Sequence, residues 1–257
     1  MSRRVRYAGP NDELGQLATT FNTMLAELEV AYQQQQQFVA DVSHELRTPL
    51  TTIRGNLELL HRRPPICDED RAEILSDMRE ESERLIRLVN DLLMLAHADA
   101  RQPLKSESVP VKMLIQDVCH QAKFLASDRS IAYAQLPDAT VVGDRDALKQ
   151  VLLILIDNAL KHTTGRITVT AQVIEAGVTI SVHDTGPGIG SDILSHLFER
   201  FHRGDSRLNQ EDSGLGLAIA KALVEAQGGT ITVESQVELG SVFTVTLPQA
   251  ALDYDPV

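Results

Sequence analysis

The stretch Phe38-Val-Ala-Asp-Val-Ser-His44-Glu45-Leu-Arg47-Thr48-Pro49-Leu50 puts an imidazole, an acid, a guanidinium and a hydroxyl on consecutive helical turns and closes them with a proline. Around it Val39, Val42, Leu46, Leu50, Ile53, Leu57 and Leu60 alternate at steps of three and four, the period of a helical seam. Val42 and Leu46 belong to that seam, so His44 between them points to water. A neutral imidazole is a competent nucleophile, and Glu45 is the adjacent group that can orient it or take its proton. Each residue alone is an ordinary solvated helix side chain; their combination is what points to chemistry. Pro49 offers no N–H to the carbonyl of Glu45 and crowds it, so the helix is expected to bend at His44. A purely structural bundle gains nothing from such a proline.

Thr48 lies one turn below His44, where a hydroxyl can position a water against a phosphorylated ring. Arg47 is within reach of phosphate oxygens, and a surface ion pair is its equally good alternative.

Upstream, Leu14, Leu17, Phe21, Met24, Leu25 and Leu28 extend the helical period toward Asn11, and the glutamines 33–37 read as a solvated stretch of the same helix. Arg62-Arg-Pro64-Pro65 breaks it. A second seam follows in Ile74, Met78, Leu85, Leu88, Leu92 and Leu95, with Glu81 as its polar gap and Asp68, Glu69, Asp70 and Glu73 suited to its N-terminal dipole. A lone hairpin buries two seams poorly. Pairing of two hairpins into a four-helix bundle is therefore expected, which predicts a homodimer.

After a polar linker from His97 to Lys105 the period changes. Val109 to Leu125 and Asp144 to His162 read as helices. Arg166 to Val173, Val178 to Asp184, Thr230 to Glu234 and Val242 to Leu247 alternate as strands, with a helix from Leu215 to Gln227 stopped by Gly228-Gly229. The order predicts one α+β layered domain. In it, Asp184-Thr-Gly186-Pro-Gly188-Ile-Gly190 ends a strand with an acid and a turn that backbone can bring close to a ligand. Gly214-Leu215-Gly216-Leu217 opens a helix whose N–H groups suit a phosphate. Between them, residues 203–213 are polar and suit a lid anchored by Phe198 and Phe201, with Arg203 near phosphates. Asn158 interrupts an apolar helix and offers an amide oxygen to Mg²⁺; Lys161 and His162 follow on its face, where helix-terminal cations are also at home.

Composition sets outer bounds. A formal net charge of -12 argues against a nucleic-acid partner. Cys67 and Cys119 are too few for a disulfide framework or zinc site. No apolar run approaches the ~20 residues of a membrane span.

In joint order and spacing these motifs resemble the cytoplasmic core of bacterial sensor histidine kinases, from about Gln33 to Leu247. Ser43 to Pro49 looks like the acceptor box, Asp157-Asn158-Ala-Leu-Lys161-His162 like the asparagine box, and Asp184 to Gly188, Phe198 to Phe201 and Gly214 to Leu217 like the remaining nucleotide motifs. The resemblance implies a dimerisation and phosphotransfer hairpin over residues 31–99 and a gyrase- and Hsp90-type α/β sandwich over 105–250. It implies Mg-ATP, phosphorylation of His44 with Glu45 and Thr48 assisting, and transfer to an aspartate on a response-regulator receiver domain. ATP would meet Asn158, Lys161, His162, Asp184, Gly186, Gly188, Phe198, Arg203, Gly214, Leu215, Gly216 and Leu217, with Asn158 as the metal ligand. Residues 1–30, with Asp12-Glu13-Leu14-Gly15 and Phe21-Asn22-Thr23-Met24, look like the last helix of a HAMP relay module. That implies an upstream membrane segment and sensor, and a membrane location for the full-length protein. Ile154 departs from the pattern, standing where the family often has asparagine, as do His162 and His202 at frequent tyrosine positions. Ile154 supports an alternative reading, a nucleotide-gated scaffold or a phosphatase-only regulator.

Overall fold

The computed structural model describes residues 12–62, 67–99, 105–125, 130–134, 136–202 and 213–249. The chain divides into two compact units, Met1–Leu85 and Ile86–Val257.

The first unit is helical. Helix α1 spans Glu13–Leu60, starting where the Asp12 side chain accepts the Gly15 N–H at 3.0 Å. It continues through Pro49, the only buried residue of the helix among those described. It stops at His61, whose N–H returns to the Leu57 carbonyl just before the proline pair. Helix α2, Asp68–Asp99, opens on the expected acids. It runs into what the sequence suggested was linker; of the remaining stretch, residues 100–104 lie outside the described residues. The apolar positions of α1 face solvent in the single chain, Leu14, Leu17, Met24 and Leu28 all being more than 60% exposed. A seam of that kind has no core of its own to enter, which is the condition for a helical partner.

The boundary between units falls inside α2. In the second unit the last turns of α2 bury Leu88, Leu95 and Ala98. Asp91 on the same stretch accepts the Ser213 hydroxyl at 3.1 Å.

The rest of the second unit is a two-layer α/β domain. A five-stranded sheet runs in the order β2-β4-β5-β7-β6, from β2 (Ile131–Ala134), β4 (Ile167–Ile174), β5 (Gly177–Asp184), β6 (Thr230–Gln236) and β7 (Gly240–Leu247). Among the described residues only the β2–β4 pairing is parallel. Helices α3 (Val111–Leu125), α4 (Arg145–His162) and α6 (Gly216–Glu225) contact it, with the single turn α5 (Ser191–Leu194) between the last two in sequence. Period-two alternation sends Ile167, Val169, Ala171, Ile180, Val182, Phe243, Val245 and Leu247 into the core. Polar Thr168, Thr170, Ser181 and Thr244 stay half-exposed. From the helices come Leu114, Val118, Leu148, Leu152, Leu155, Ile156, Ile219 and Leu223.

Three short strands were not legible as such. Residues 107–110 form β1, which pairs antiparallel with β3 (Thr140–Gly143), so α3 begins at Val111 and not at Val109. Val109 is drawn into the ladder opposite Val141, and Pro110 comes just before the helix, where its fixed φ does no harm. Four-residue strands such as β2 are too short to show a period. The later helix is also shorter than read, ending at Glu225 before the turn 226–228.

Candidate functional site

In the first unit His44 is exposed on α1, as is Thr48. The Thr48 hydroxyl donates to the His44 carbonyl at 3.3 Å, the ordinary back-bond of a helical threonine, which seats it one turn from the imidazole. Glu45 behaves differently. Its carboxylate, only 18% exposed, faces across to Arg84 of α2 at 3.7 Å, and Arg84 also reaches Glu81 at 3.9 Å. The polar gap in the second seam is thus one arm of a half-buried triad. Arg84 was not among the residues picked out from sequence. An arginine three residues from a heptad gap is a common surface residue, and nothing local announces its partner across the hairpin.

In the second unit the glycine motifs read from the sequence lie against β5 and α4. Asp184 is the last residue of β5, and its Oδ1 accepts the Gly186 N–H at 2.8 Å, an Asx turn that folds the chain back at once. A Cβ on Gly186 would lie 2.8 Å from that same oxygen and 3.0 Å from the His162 carbonyl, so the turn sits against the C-terminus of α4. This places Asp184 and Gly186 beside His162. Gly188 has φ +71, and a Cβ there would lie 2.1 Å from the Gln236 carbonyl. Only glycine fits both demands.

Asn158 is half-buried on α4, and Lys161 pairs with Asp157 at 2.7 Å. Ile154, one turn before Asn158, is half-buried too; its Cγ2 would lie 3.4 Å from a Cβ on Gly216, at the start of α6. Leu215 is fully buried, Leu217 half-buried. Gly214, with φ +67, is packed against Phe201 and His202, and the Phe201 N–H donates to the Gly214 carbonyl at 3.0 Å. The two ends of the segment read as a lid are therefore tied together, with Phe198 half-buried beside them. Arg203 lies outside the described residues, as does the proposed lid up to residue 212.

A metal ion here would find one neutral amide oxygen, at Asn158, and no second amide at Ile154. That donor set fits Mg²⁺, which takes few protein ligands and completes its shell with phosphate and water oxygens.

Two family models match this arrangement. Residues 34–101 match the "His Kinase A (phospho-acceptor) domain" and residues 143–251 the "Histidine kinase-, DNA gyrase B-, and HSP90-like ATPase". The chain belongs to the two-component sensor histidine kinases. Among relatives of this kinase core, the probable sensor histidine kinase TcrY of Mycobacterium tuberculosis is 42% identical over 94% of this chain and 53% of its own length. The signal transduction histidine-protein kinase/phosphatase MprB of Mycolicibacterium vanbaalenii is 38% identical over 90% of this chain and 49% of its own. The structure of full-length ShkA in complex with AMPPNP aligns with a TM-score of 0.63 and 32% identity, covering 84% of this chain and 46% of that one. The chain spans about half the length of the curated relatives it matches. Among the described residues of this kinase core, no helix is long and apolar enough to cross a membrane.

The sequence missed what braces the loop after Asp184. Ser235 and Glu238 hold it through contacts distant in sequence, and Ser241 backs Ser235 from the neighbouring strand. The only local hint was a hairpin-like Val237-Glu-Leu-Gly240 between two alternating segments.

Proposed function

We propose that this chain is the catalytic core of a sensor histidine kinase that phosphorylates His44 from Mg-ATP and passes the phosphoryl group to an aspartate of a response-regulator receiver domain. The observation that carries this reading is an exposed His44 on one helix of a chain whose second unit ends a strand in the Asp184–Gly186 turn of an ATPase fold. The family match and the nucleotide analogue named with the ShkA structure support ATP as the donor.

In the step itself a ring nitrogen of His44 attacks the γ-phosphorus, the N–P bond forms, and the bond to the β-phosphate bridging oxygen breaks as ADP leaves. The ring proton is lost, with Glu45 as acceptor. Asp184 receives the adenine amino group, Lys161 and the N–H groups of Gly214 to Leu217 balance phosphate charge, and Asn158 holds Mg²⁺, which supplies charge neutralisation when bound. His162, Gly188, Phe198 and Arg203 complete the nucleotide surroundings.

The exposed α1 seam supports a homodimeric four-helix bundle built from residues 31–99, with the ATP-binding domain over 105–250. Residues 1–30 serve as the end of a HAMP-like relay, joined to an upstream membrane segment in the full-length protein. The kinase/phosphatase name of MprB and the hydroxyl of Thr48 support a reverse activity, dephosphorylation of the regulator. A second reading, a phosphatase-only regulator or nucleotide-gated scaffold, draws on Ile154.

The test is incubation with ATP labelled at the γ-phosphate. Acid-labile, base-stable label is expected on the wild type and absent from His44→Gln, with Mg-ADP binding intact in both. Label that persists in His44→Gln overturns the acceptor assignment. ATP binding without label in the wild type establishes the second reading instead.

A further inference from the structure

The hairpin of β6 and β7 lies under the glycine loop and holds it at two points. On one side of Gly188 the Glu238 N–H donates to the Pro187 carbonyl at 2.7 Å. Glu238 sits at φ +66, a left-handed conformation that a side chain tolerates only at some cost, and that conformation belongs to the residue making the contact. On the other side the Ile189 N–H donates to the Ser235 hydroxyl at 2.8 Å.

That hydroxyl is fully committed. It lies 2.9 Å from the Gly240 carbonyl, which can only accept, so the Ser235 proton points there. The 3.0 Å contact with Ser241 must then be donated by Ser241, whose side chain is buried at 5% exposure. Ser235 therefore gives one bond and accepts two. Ser241 is the register partner of both Ser235 on β6 and Asp184 on β5. One row across the sheet thus links the strand end bearing Asp184 to the brace under Ile189.

We propose that Ser235, set by Ser241, is a positioning residue for nucleotide binding: its hydroxyl fixes the Ile189 amide and so the shape of the loop from Gly186 to Gly190. The proposal rests on the reading of that loop as the nucleotide loop. Ser235 touches no reacting atom. It acts by removing freedom from the loop before ligand arrives, so its loss should fall on binding and spare turnover at saturation.

The experiment uses the full chain, with Mg-ADP affinity by calorimetry, ATP dependence of autophosphorylation, and hydrogen exchange at the Ile189 amide. Ser235→Ala is expected to raise the Mg-ADP Kd and the ATP KM about tenfold, to leave kcat within about twofold, and to speed Ile189 exchange at least tenfold. Ser235→Thr keeps the hydroxyl on a strand that favours β-branching and is expected to stay within about threefold of wild type. A Kd within twofold of wild type in Ser235→Ala, an Ile189 amide as protected as before, or a Ser235→Thr as weak as Ser235→Ala overturns the proposal. Should Ser235→Ala fail to fold, Ser241→Ala removes one donor only. A rise of about threefold in Kd with faster Ile189 exchange supports the proposal, and no change in either overturns it. Asp184→Asn separates the two layers of the argument. If it binds Mg-ADP like wild type, the nucleotide reading fails, while Ile189 exchange in the serine variants still reports on the brace.

Discussion

Glu45 and Arg84 form an ion pair 3.7 Å apart between α1 and α2, with side chains 18% and 20% exposed. The carboxylate next to His44 is thus held by the second helix of the hairpin. Arg84 stands between two acids, since Glu81 lies 3.9 Å from it and keeps one buried oxygen, Oε2, without a hydrogen-bond partner. Removing the arginine leaves two half-buried carboxylates facing each other. Arg84→Ala is expected to destabilise the chain by roughly 1–3 kcal/mol, discounted from a fully buried pair because some water reaches it. Glu81→Gln should be close to neutral, since it relieves the uncompensated charge. Thermal melts of both variants check this, and a Glu81→Gln loss as large as that of Arg84→Ala would show that Glu81 needs its charge.

Gly188 and Gly190 make a matched pair two residues apart. A Cβ at Gly188 meets the Gln236 carbonyl at 2.1 Å in a left-handed backbone, whereas a Cβ at Gly190 meets nothing within 4 Å. Gly188→Ala is expected to cost about 2–4 kcal/mol and nucleotide binding with it. Gly190→Ala should leave the melting temperature unchanged, so any fall in Mg-ADP affinity there reports contact with ligand. Melts alongside calorimetry separate the two.

Ile154 fills the position one turn before Asn158 and packs toward Gly216. Ile154→Asn exchanges half-buried apolar contact for an amide that must find a partner, at a cost of roughly 1–2 kcal/mol. It also supplies a second oxygen donor. The Mg²⁺ concentration giving half-maximal autophosphorylation should fall severalfold. An unchanged Mg²⁺ dependence would show that this side chain lies out of reach of the ion.

Cys119 is 1% exposed on α3, and burial pushes its thiol from 9.0 up to about 11, with Lys123 opposing weakly. Unfolding would let the thiol ionise earlier. Between about pH 9 and 11 the unfolded chain therefore holds fewer protons than the folded one, and stability falls as pH rises; below pH 9 the contribution is fully present. The loss is roughly 2–3 kcal/mol across that window. Denaturant melts of wild type against Cys119→Ala should show a steeper decline for the wild type. Parallel curves would rule out this linkage. By the same burial, iodoacetamide should label exposed Cys67 and spare Cys119 at pH 8.

The amino-acid sequence by itself determined the long helices and strands and the family to which they belong. Heptad alternation through Val42, Leu46 and Leu50 could be read because a helix repeats its environment every three or four residues. Alternation from Ile167 and from Val178 could be read because a strand repeats every two. Asn158 was legible because it interrupts an apolar helix, and Asp184 and the glycines because they close a strand; His44 was legible only through its neighbours Glu45, Thr48 and Pro49. Only the tertiary structure decided what those residues lean on. Strand β1 exists because Val109 meets Val141, and four residues carry too little period to say so. Glu45 turned out to face Arg84, and the loop after Asp184 turned out to rest on Ser235 and Glu238. Those partners are far apart along the chain, and their meeting depends on how sheet and helices pack, which no local periodicity encodes.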